Sequence, residues 1–296
     1  KSIILYARYL MDSKLNLDEA GRIAWQHAAL VLSKKIGIGS KKFNEDLKVL
    51  INQFGNIENI YQYHFGMVPI DPDLIRVLDK KFSNLNFKFE VLQFNDELYP
   101  NALRQIYGIP PIYYYRGDVS LLGIEDSISF VGTRNLDEKA YIEHGVDVIK
   151  RLFSAGYKVI VSGLAKGSDT LGHKTAIELG GRTIAVLGTP LDVSYPAENK
   201  VLQNQIATEH LVITEYPIGI GSFGTYFANR NLTTVSLSHK GIVVARAGDK
   251  SGTQYAIKTC IEQGKPVYVL ENNIYEPDFK WVEKYKDKIK VIRMTK

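Results

Sequence analysis

A single cysteine, Cys260, stands in a chain of 296 residues, which excludes an internal disulfide and any zinc site built from several thiolates. It lies in Tyr255-Ala256-Ile257-Lys258-Thr259-Cys260-Ile261, a setting that suits buried packing better than a reactive thiol. Long hydrophobic runs are missing too. None approaches the ~20 residues that a membrane-spanning helix needs, and no signal-peptide pattern opens the chain. The chain begins at Lys1 rather than methionine, which reads as a few absent N-terminal residues, and a cytoplasmic protein is the expectation. Histidine numbers only six, and no spacing of ligand-type residues supports a metal site. Low-complexity segments and solenoid repeats are likewise absent. Nor is charge of one sign in strong excess: 37 Lys and Arg against 32 Asp and Glu give +5. That balance permits a polyanionic partner without requiring one.

What is present is ordinary for a globular protein, with 45% hydrophobic and 23% charged residues. The length suits one large core or two domains. Residues 1 to about 66 read as helical. Ile23, Ala24, Ala28, Leu30 and Val31 form one apolar face, and Phe43, Leu47, Leu50, Ile51 and Phe54 form another. Between them lies Ile36-Gly37-Ile38-Gly39-Ser40. Helix, Gly-x-Gly turn, helix is the outline of a helix-hairpin-helix unit, whose turn amides can hold DNA phosphate; it equally outlines a small helical packing module. Residues from about 70 to 115, rich in proline and tyrosine, read as a linker and entry region. Aromatics beside prolines can stack on bases, but a strand packed under a loop is the preferred reading of Tyr113-Tyr114-Tyr115.

From residue 127 the pattern alternates. Apolar runs at 128–131, 158–161, 183–187, 211–213, 242–245 and 267–270 are separated by helical stretches at 137–153, 168–179, 197–207 and 252–263. Strands alternating with helices imply right-handed crossovers and a mostly parallel sheet. Gly132, Gly163, Gly188 and Gly248 fall near strand C-termini, where open α/β sheets bind ligands. The expected architecture is an extended Rossmann-like sheet flanked by helices over 85–296, preceded by a small helical domain over 1–84.

Three loops carry phosphate-binding chemistry. Gly132 lets an anion approach the backbone, Thr133 offers a hydroxyl and Arg134 a forked donor. Gly163, Lys166 and Gly167 can flank the same anion, with Ser168 or Asp169 capping the next helix. Lys250, Ser251 and Gly252 form a third such loop, without the spacing of an ATP-hydrolysing P-loop. His173 faces either the crevice or the sheet. Tyr195 and Tyr216 either close the crevice walls or serve loop packing. Gly219-Ile220-Gly221-Ser222-Phe223-Gly224 matches Gly-x-Gly-x-x-Gly. It neither follows a strand directly nor opens a clear helix, so a dinucleotide site is set aside. Glu143, Asp169, Asp192 and Glu215 are scattered without a paired partner, so no catalytic cluster is evident.

Taken in order, the motifs resemble those of the DprA/Smf family of DNA-processing proteins. They are Tyr99-Pro100-Asn101-Ala102-Leu103, Pro110-Pro111, Gly117, Val131-Gly132-Thr133-Arg134, and Ser162 through Asp169 with His173. Gly180 through Gly188, Tyr195-Pro196 with Asn199, Glu215-Tyr216-Pro217, Phe227 with Arg230-Asn231, and Ser251-Gly252 follow. The resemblance covers roughly 86–270. It implies a non-enzymatic, dimeric binder of single-stranded DNA that loads a RecA-like recombinase in natural transformation, with no cofactor and no membrane. Arg134 matches the family's binding arginine. The family's lysine after Tyr-Pro is replaced by Ala197, for which Lys200 is the nearest substitute, and Asn199, Arg230 and Asn231 complete the expected site. Leu232, Ser236 and Glu271 depart from the pattern, removing a cation and a glycine and adding a carboxylate. The chain also ends before the winged-helix domain that some members append. The alternative is a Rossmann nucleotide sensor or a LOG-like nucleotide phosphoribohydrolase, of whose Pro-Gly-Gly-x-Gly-Thr loop Gly248 to Thr253 is a partial echo.

Overall fold

The computed structural model describes Ser13 and residues 15–294. Two compact units emerge. The first comprises residues up to Arg116 together with Thr189–Val193 and Thr214–Tyr226; the second comprises Gly117–Gly188, Ser194–Ile213 and Phe227 onward.

In the first unit, α1 (Glu19–Leu32), α2 (Lys41–Phe54), α3 (Ile57–Phe65) and α4 (Pro72–Ser83) begin at Asp18, Ser40, Asn56 and Asp71. Each of these side chains accepts a backbone N–H in the first turn, the ordinary way to satisfy an N-terminus. The expected helix, Gly-x-Gly turn, helix is therefore α1, the turn at 36–40, and α2. Helix α4 falls inside the stretch read as linker: Pro72 interrupts nothing, because it occupies the first turn, where no N–H is needed. Trp25 Nε1 donates to Asp79 Oδ1 at 2.9 Å and its ring meets Tyr61 edge-on, which ties α1 to α3 and α4. Strand β1 (Glu90–Gln93) runs antiparallel to β2 (Ile112–Gly117), with Val91 opposite Tyr114. Tyr114 lies over α1, its hydroxyl 2.8 Å from His27 Nδ1. The pair thus packs with the helices, and the compact unit extends to Arg116. Gly219 belongs to this unit, approaching Leu78, Ala28 and Phe82 closely. Its bareness serves helix packing, and the dinucleotide match has no strand immediately before it.

The second unit holds β3 (Ser127–Val131), α6 (Lys139–Ser154), β4 (Val159–Ser162), α7 (Ser168–Glu178), β5 (Arg182–Val186), α8 (Lys200–Glu209) and β6 (Leu211–Thr214). A short α5 (Asn101–Arg104) precedes β2, and a short α9 (Gly224–Asn229) follows β6. Then come α10 (Asn231–Ser236), β7 (Ile242–Val244), α11 (Thr253–Glu262), β8 (Val267–Leu270), α12 (Lys280–Lys284) and β9 (Ile289–Ile292). The strands pair in the order β6-β5-β4-β3-β7-β8-β9, each neighbouring pair being parallel. This is the expected Rossmann-like sheet.

Alternation along each strand feeds two cores. Ile128 and Phe130 of β3 with Val243 and Ala245 meet Val148, Ile149 and Ala176 of α6 and α7. Val131, Ile242 and Val244 meet Val235, Ala256, Ile257 and Cys260 of α10 and α11 on the other face. Cys260 is buried, which pushes its thiol up to about 12. From β3 the chain winds outward through β4, β5 and β6, then returns to the opposite side of β3 as β7. That reversal makes the carboxyl ends of β3 and β7 the topological switch point of the sheet.

Candidate nucleic-acid interface

The loop leaving β3 opens at this switch point. Thr133 N donates to Arg246 O at 2.7 Å, and Thr253 Oγ1 donates to Gly132 O at 3.2 Å. Ser168 donates to Thr133 O through both its backbone N–H, at 3.0 Å, and its hydroxyl, at 3.1 Å. Gly167 has φ +76, and a Cβ there would lie 2.5 Å from Thr133 O, so only glycine fits. The next helical amides are also committed: Thr170 N donates to Ala165 O and Leu171 N to Gly167 O. The third loop closes on itself through Ser251 N to Gly248 O and Tyr255 N to Gly252 O. Several of the amides that the spacing offered to phosphate are therefore spent within the protein. Ser168 is buried and works as a strap rather than a cap, and Gly167, the residue before α7, provides no side-chain cap.

Beneath the loops lies a second layer. Arg230, 5% exposed, has its guanidinium against Gly163, where any Cβ would overlap it, and 3.4 Å from Asp169 Oδ2. The Asp169 carboxylate also accepts Ala165 N at 3.2 Å. Asn199 Nδ2 donates to Leu164 O and Thr170 Oγ1, and Asn231 Nδ2 to Gly252 O. Gly163, Ser168, Asn199, Arg230 and Asn231 are thus brought together as a buried lattice that shapes the loops. His173 faces the sheet: its Nδ1 lies 2.6 Å from Thr183 Oγ1, which donates onward to Ile160 O. Burial, reinforced by Arg230 and His210, lowers it to about 3, so the ring is neutral at ordinary pH.

The cations open to solvent are Arg134, Lys166, Lys200 and Lys250. Arg134 lies over the Phe227 ring, 5.7 Å from its centroid, and the half-exposed Tyr195 ring lies 4.9 Å from the same ring. Phe227 owes its position to Gly188, where a Cβ would come within 3.0 Å of the Phe227 Cα. An exposed guanidinium over one ring, with a second ring packed against the first, can pair with a phosphate and offer a plane to a base. Lys166 is 3.8 Å from Glu198 in an exposed pair, which screening leaves weak and easily exchanged.

The sequence marks Arg134 and offers Tyr195 as a crevice wall, but it does not place Phe227 or Tyr195 among the binding residues. Tyr195 carries a signal in its Tyr-Pro turn, whereas Phe227, inside α9, meets the strand-end Gly188 only through the fold. The departures Leu232 and Ser236 lie on the inside of the fold. Leu232 is buried, and Ser236 Oγ accepts from Gln263 Nε2 at 2.8 Å. Lys265 crosses the end of α10, donating to Val235 O and Ser236 O, and burial lowers it to about 8. Those two changes alter packing rather than the open wall. Glu271 accepts Met294 N at 2.8 Å. Among the described residues, no cluster of three or more His, Cys, Asp or Glu is placed to hold a metal, and no helix is long and apolar enough to cross a membrane.

Residues 90–287 match the family model for DNA recombination-mediator protein A. DNA processing protein DprA of Streptococcus pneumoniae is 36% identical over 201 residues, covering 67% of each chain. The Bacillus subtilis DprA is 33% identical over 187 residues, 63% of this chain and 62% of its own. Among solved structures, the S. pneumoniae DprA superposes with TM-score 0.69 at 28% identity, covering 93% of this chain and 95% of that one. A Helicobacter pylori DNA processing protein A, described for its single-stranded DNA binding mode, gives TM-score 0.61 at 27% identity over 70% of this chain and 92% of its own.

Proposed function

Because the chain belongs to the DNA recombination-mediator protein A family, also called DprA or Smf, we propose that it binds single-stranded DNA and mediates recombination in natural transformation. The reading extends to delivery of the strand to a RecA-like recombinase, by a cytoplasmic homodimer that turns over no substrate. The observation that carries it is the exposed Arg134–Phe227–Tyr195 array at the sheet's switch point. One strand would place a phosphate on Arg134 and a base against Tyr195 or Phe227, while Lys166, Lys200 and Lys250 add charge along its course. The buried lattice of Gly163, Asp169, Ser168, Asn199, Arg230 and Asn231 would keep that wall rigid before the strand arrives. The family assignment favours this reading over a nucleotide sensor or phosphoribohydrolase.

The test is fluorescence anisotropy with labelled oligothymidine across a salt series. Affinity should fall steeply as salt rises. An absence of binding at low salt, or binding indifferent to Arg134→Ala, rejects the reading. Light scattering, alone and with a RecA-like recombinase added, tests the dimer and the partner.

A further inference from the structure

The third loop, whose amides close on themselves, borders a separate cavity of about 430 Å³. It lies between α11 and α12 and is lined by Tyr255, Lys258, Lys280, Trp281, Lys284 and Tyr285. Tyr255 and Lys258, one turn apart, share a face of α11; Lys280 and Lys284 share a face of α12. The walls are held in place. Asp249 accepts the backbone N–H groups of Lys280, at 3.2 Å, and Trp281, at 2.9 Å. Trp281 Nε1 donates to Ala247 O, and the buried indole belongs to the α10–α11 core. Asp249, the one acidic group lining the cavity, is therefore spent on the end of α12, and Glu262 lies 3.7 Å from Lys258 in an exposed pair. What remains is cationic and aromatic: three exposed ammonium groups, a largely exposed Tyr255 ring, and Lys284 Nζ 4.9 Å over the Tyr285 ring.

We propose that this cavity is an accessory nucleotide subsite, taking one further unit of a single strand with phosphate on Lys258, Lys280 and Lys284 and base against Tyr255 or Tyr285. The inference rests on the DNA-binding reading above. Lysines alone would suit any polyanion. The open Tyr255 ring beside them favours a ligand that carries both charge and a flat apolar face, as a nucleotide does. The volume falls within the range of small-ligand sites. The two regions are tied within the protein by Thr253, at the start of α11, whose hydroxyl donates to Gly132 O in the loop that carries Arg134.

The experiment compares the unsubstituted chain with the triple variant Lys258→Ala/Lys280→Ala/Lys284→Ala, on oligothymidines of about 6 and about 20 nucleotides. Losing three phosphate contacts should reduce the slope of log K against log salt by about 2 on the long strand and leave the short strand's binding unchanged. Photocrosslinking of a long strand carrying 5-bromouracil should label the peptides containing Tyr255 or Tyr285. If the unsubstituted chain binds both strands while the triple variant keeps its full slope and neither peptide is labelled, the subsite is refuted and the Arg134 site stands. If the unsubstituted chain binds no oligonucleotide, both readings fall. If polyglutamate abolishes labelling of those peptides at concentrations that leave the Arg134-dependent binding intact, the cavity serves an acidic protein partner and the nucleotide assignment is wrong.

Discussion

Arg134 follows β3 and Arg230 reaches Gly163 after β4, so both guanidinium groups lie at the carboxyl end of the same parallel sheet. One is open to solvent over an aromatic ring; the other is 5% exposed and faces Asp169. A buried arginine must be compensated where it sits, and here the compensation is a carboxylate that also anchors the next loop. An exposed arginine is left for a ligand. On the proposed reading, the loops at the crevice are held by the buried residues beneath them and would bind a strand through exposed residues that contribute little to folding. Separating the two roles experimentally means measuring stability and binding on the same variants.

The largest effect should come from Arg230→Ala. Removing the cation leaves the buried Asp169 carboxylate without its counter-charge, a change that costs about 3–5 kcal/mol. Urea denaturation should show that loss directly. A variant as stable as the parent would place Arg230 outside the lattice. Arg134→Ala should do the reverse. Its stability should stay within about 0.5 kcal/mol, while the loss of one charged hydrogen-bonding partner weakens binding by about 1.5–3 kcal/mol. The salt slope should drop by about 0.7, the contribution of one phosphate on a single strand. Equal losses of stability in both variants would erase the distinction between the two arginines.

The same distinction explains what could be read in advance. Strands β3 to β8 were legible because a parallel strand buried on both faces must be a run of apolar residues, as in Val159-Ile160-Val161. Strand β9 was not, since Ile289-Lys290-Val291-Ile292 is half-exposed at the edge and its lysine breaks the run. Helix α4 was hidden by its own first residue, Pro72. At the site, spacing identified which loops meet but not which groups face outward. Arg230 and Arg134 look alike in a sequence, and only the packing of Gly163 and Asp169 around one of them separates lattice from surface. Backbone amides are invisible in the same way, because whether an N–H is free depends on carbonyls that the fold brings from elsewhere, such as Arg246 O beside Thr133.

A pH series probes the buried layer without mutation. His173 sits at about 3 in the fold against 6.5 in its ordinary state. Between those values the unfolded chain binds a proton that the folded chain refuses. Its contribution to stability is complete above pH 6.5 and declines as pH falls toward 3. From pH 6.5 to 5 the decline from this residue is about 2 kcal/mol. His27, also about 3, adds the same sign. Glu215 runs the other way: burial raises it from 4.5 to about 7, so its contribution is lost as pH rises through that window. His173→Asn should flatten the acid limb by one histidine's share in urea titrations at pH 5 and 7. An unchanged limb would mean that the ring is reached by water.

The smallest change expected is at Tyr195, and it sharpens the comparison most finely, because this side chain belongs wholly to the exposed layer. It is 50% exposed and meets Phe227 at 4.9 Å, so Tyr195→Ala should leave the unfolding midpoint nearly in place. A base that stacks on the ring loses about 1 kcal/mol, the lower end of what one stacked base contributes. Tyr195→Phe should restore it, since a plane rather than a hydroxyl is required. The salt slope should not move in either variant, because no phosphate contact is removed. A slope that changes with Tyr195→Ala would show that the ring acts by positioning Arg134 through Phe227, and the two exposed groups would then be a single element instead of a phosphate contact and a stacking platform side by side.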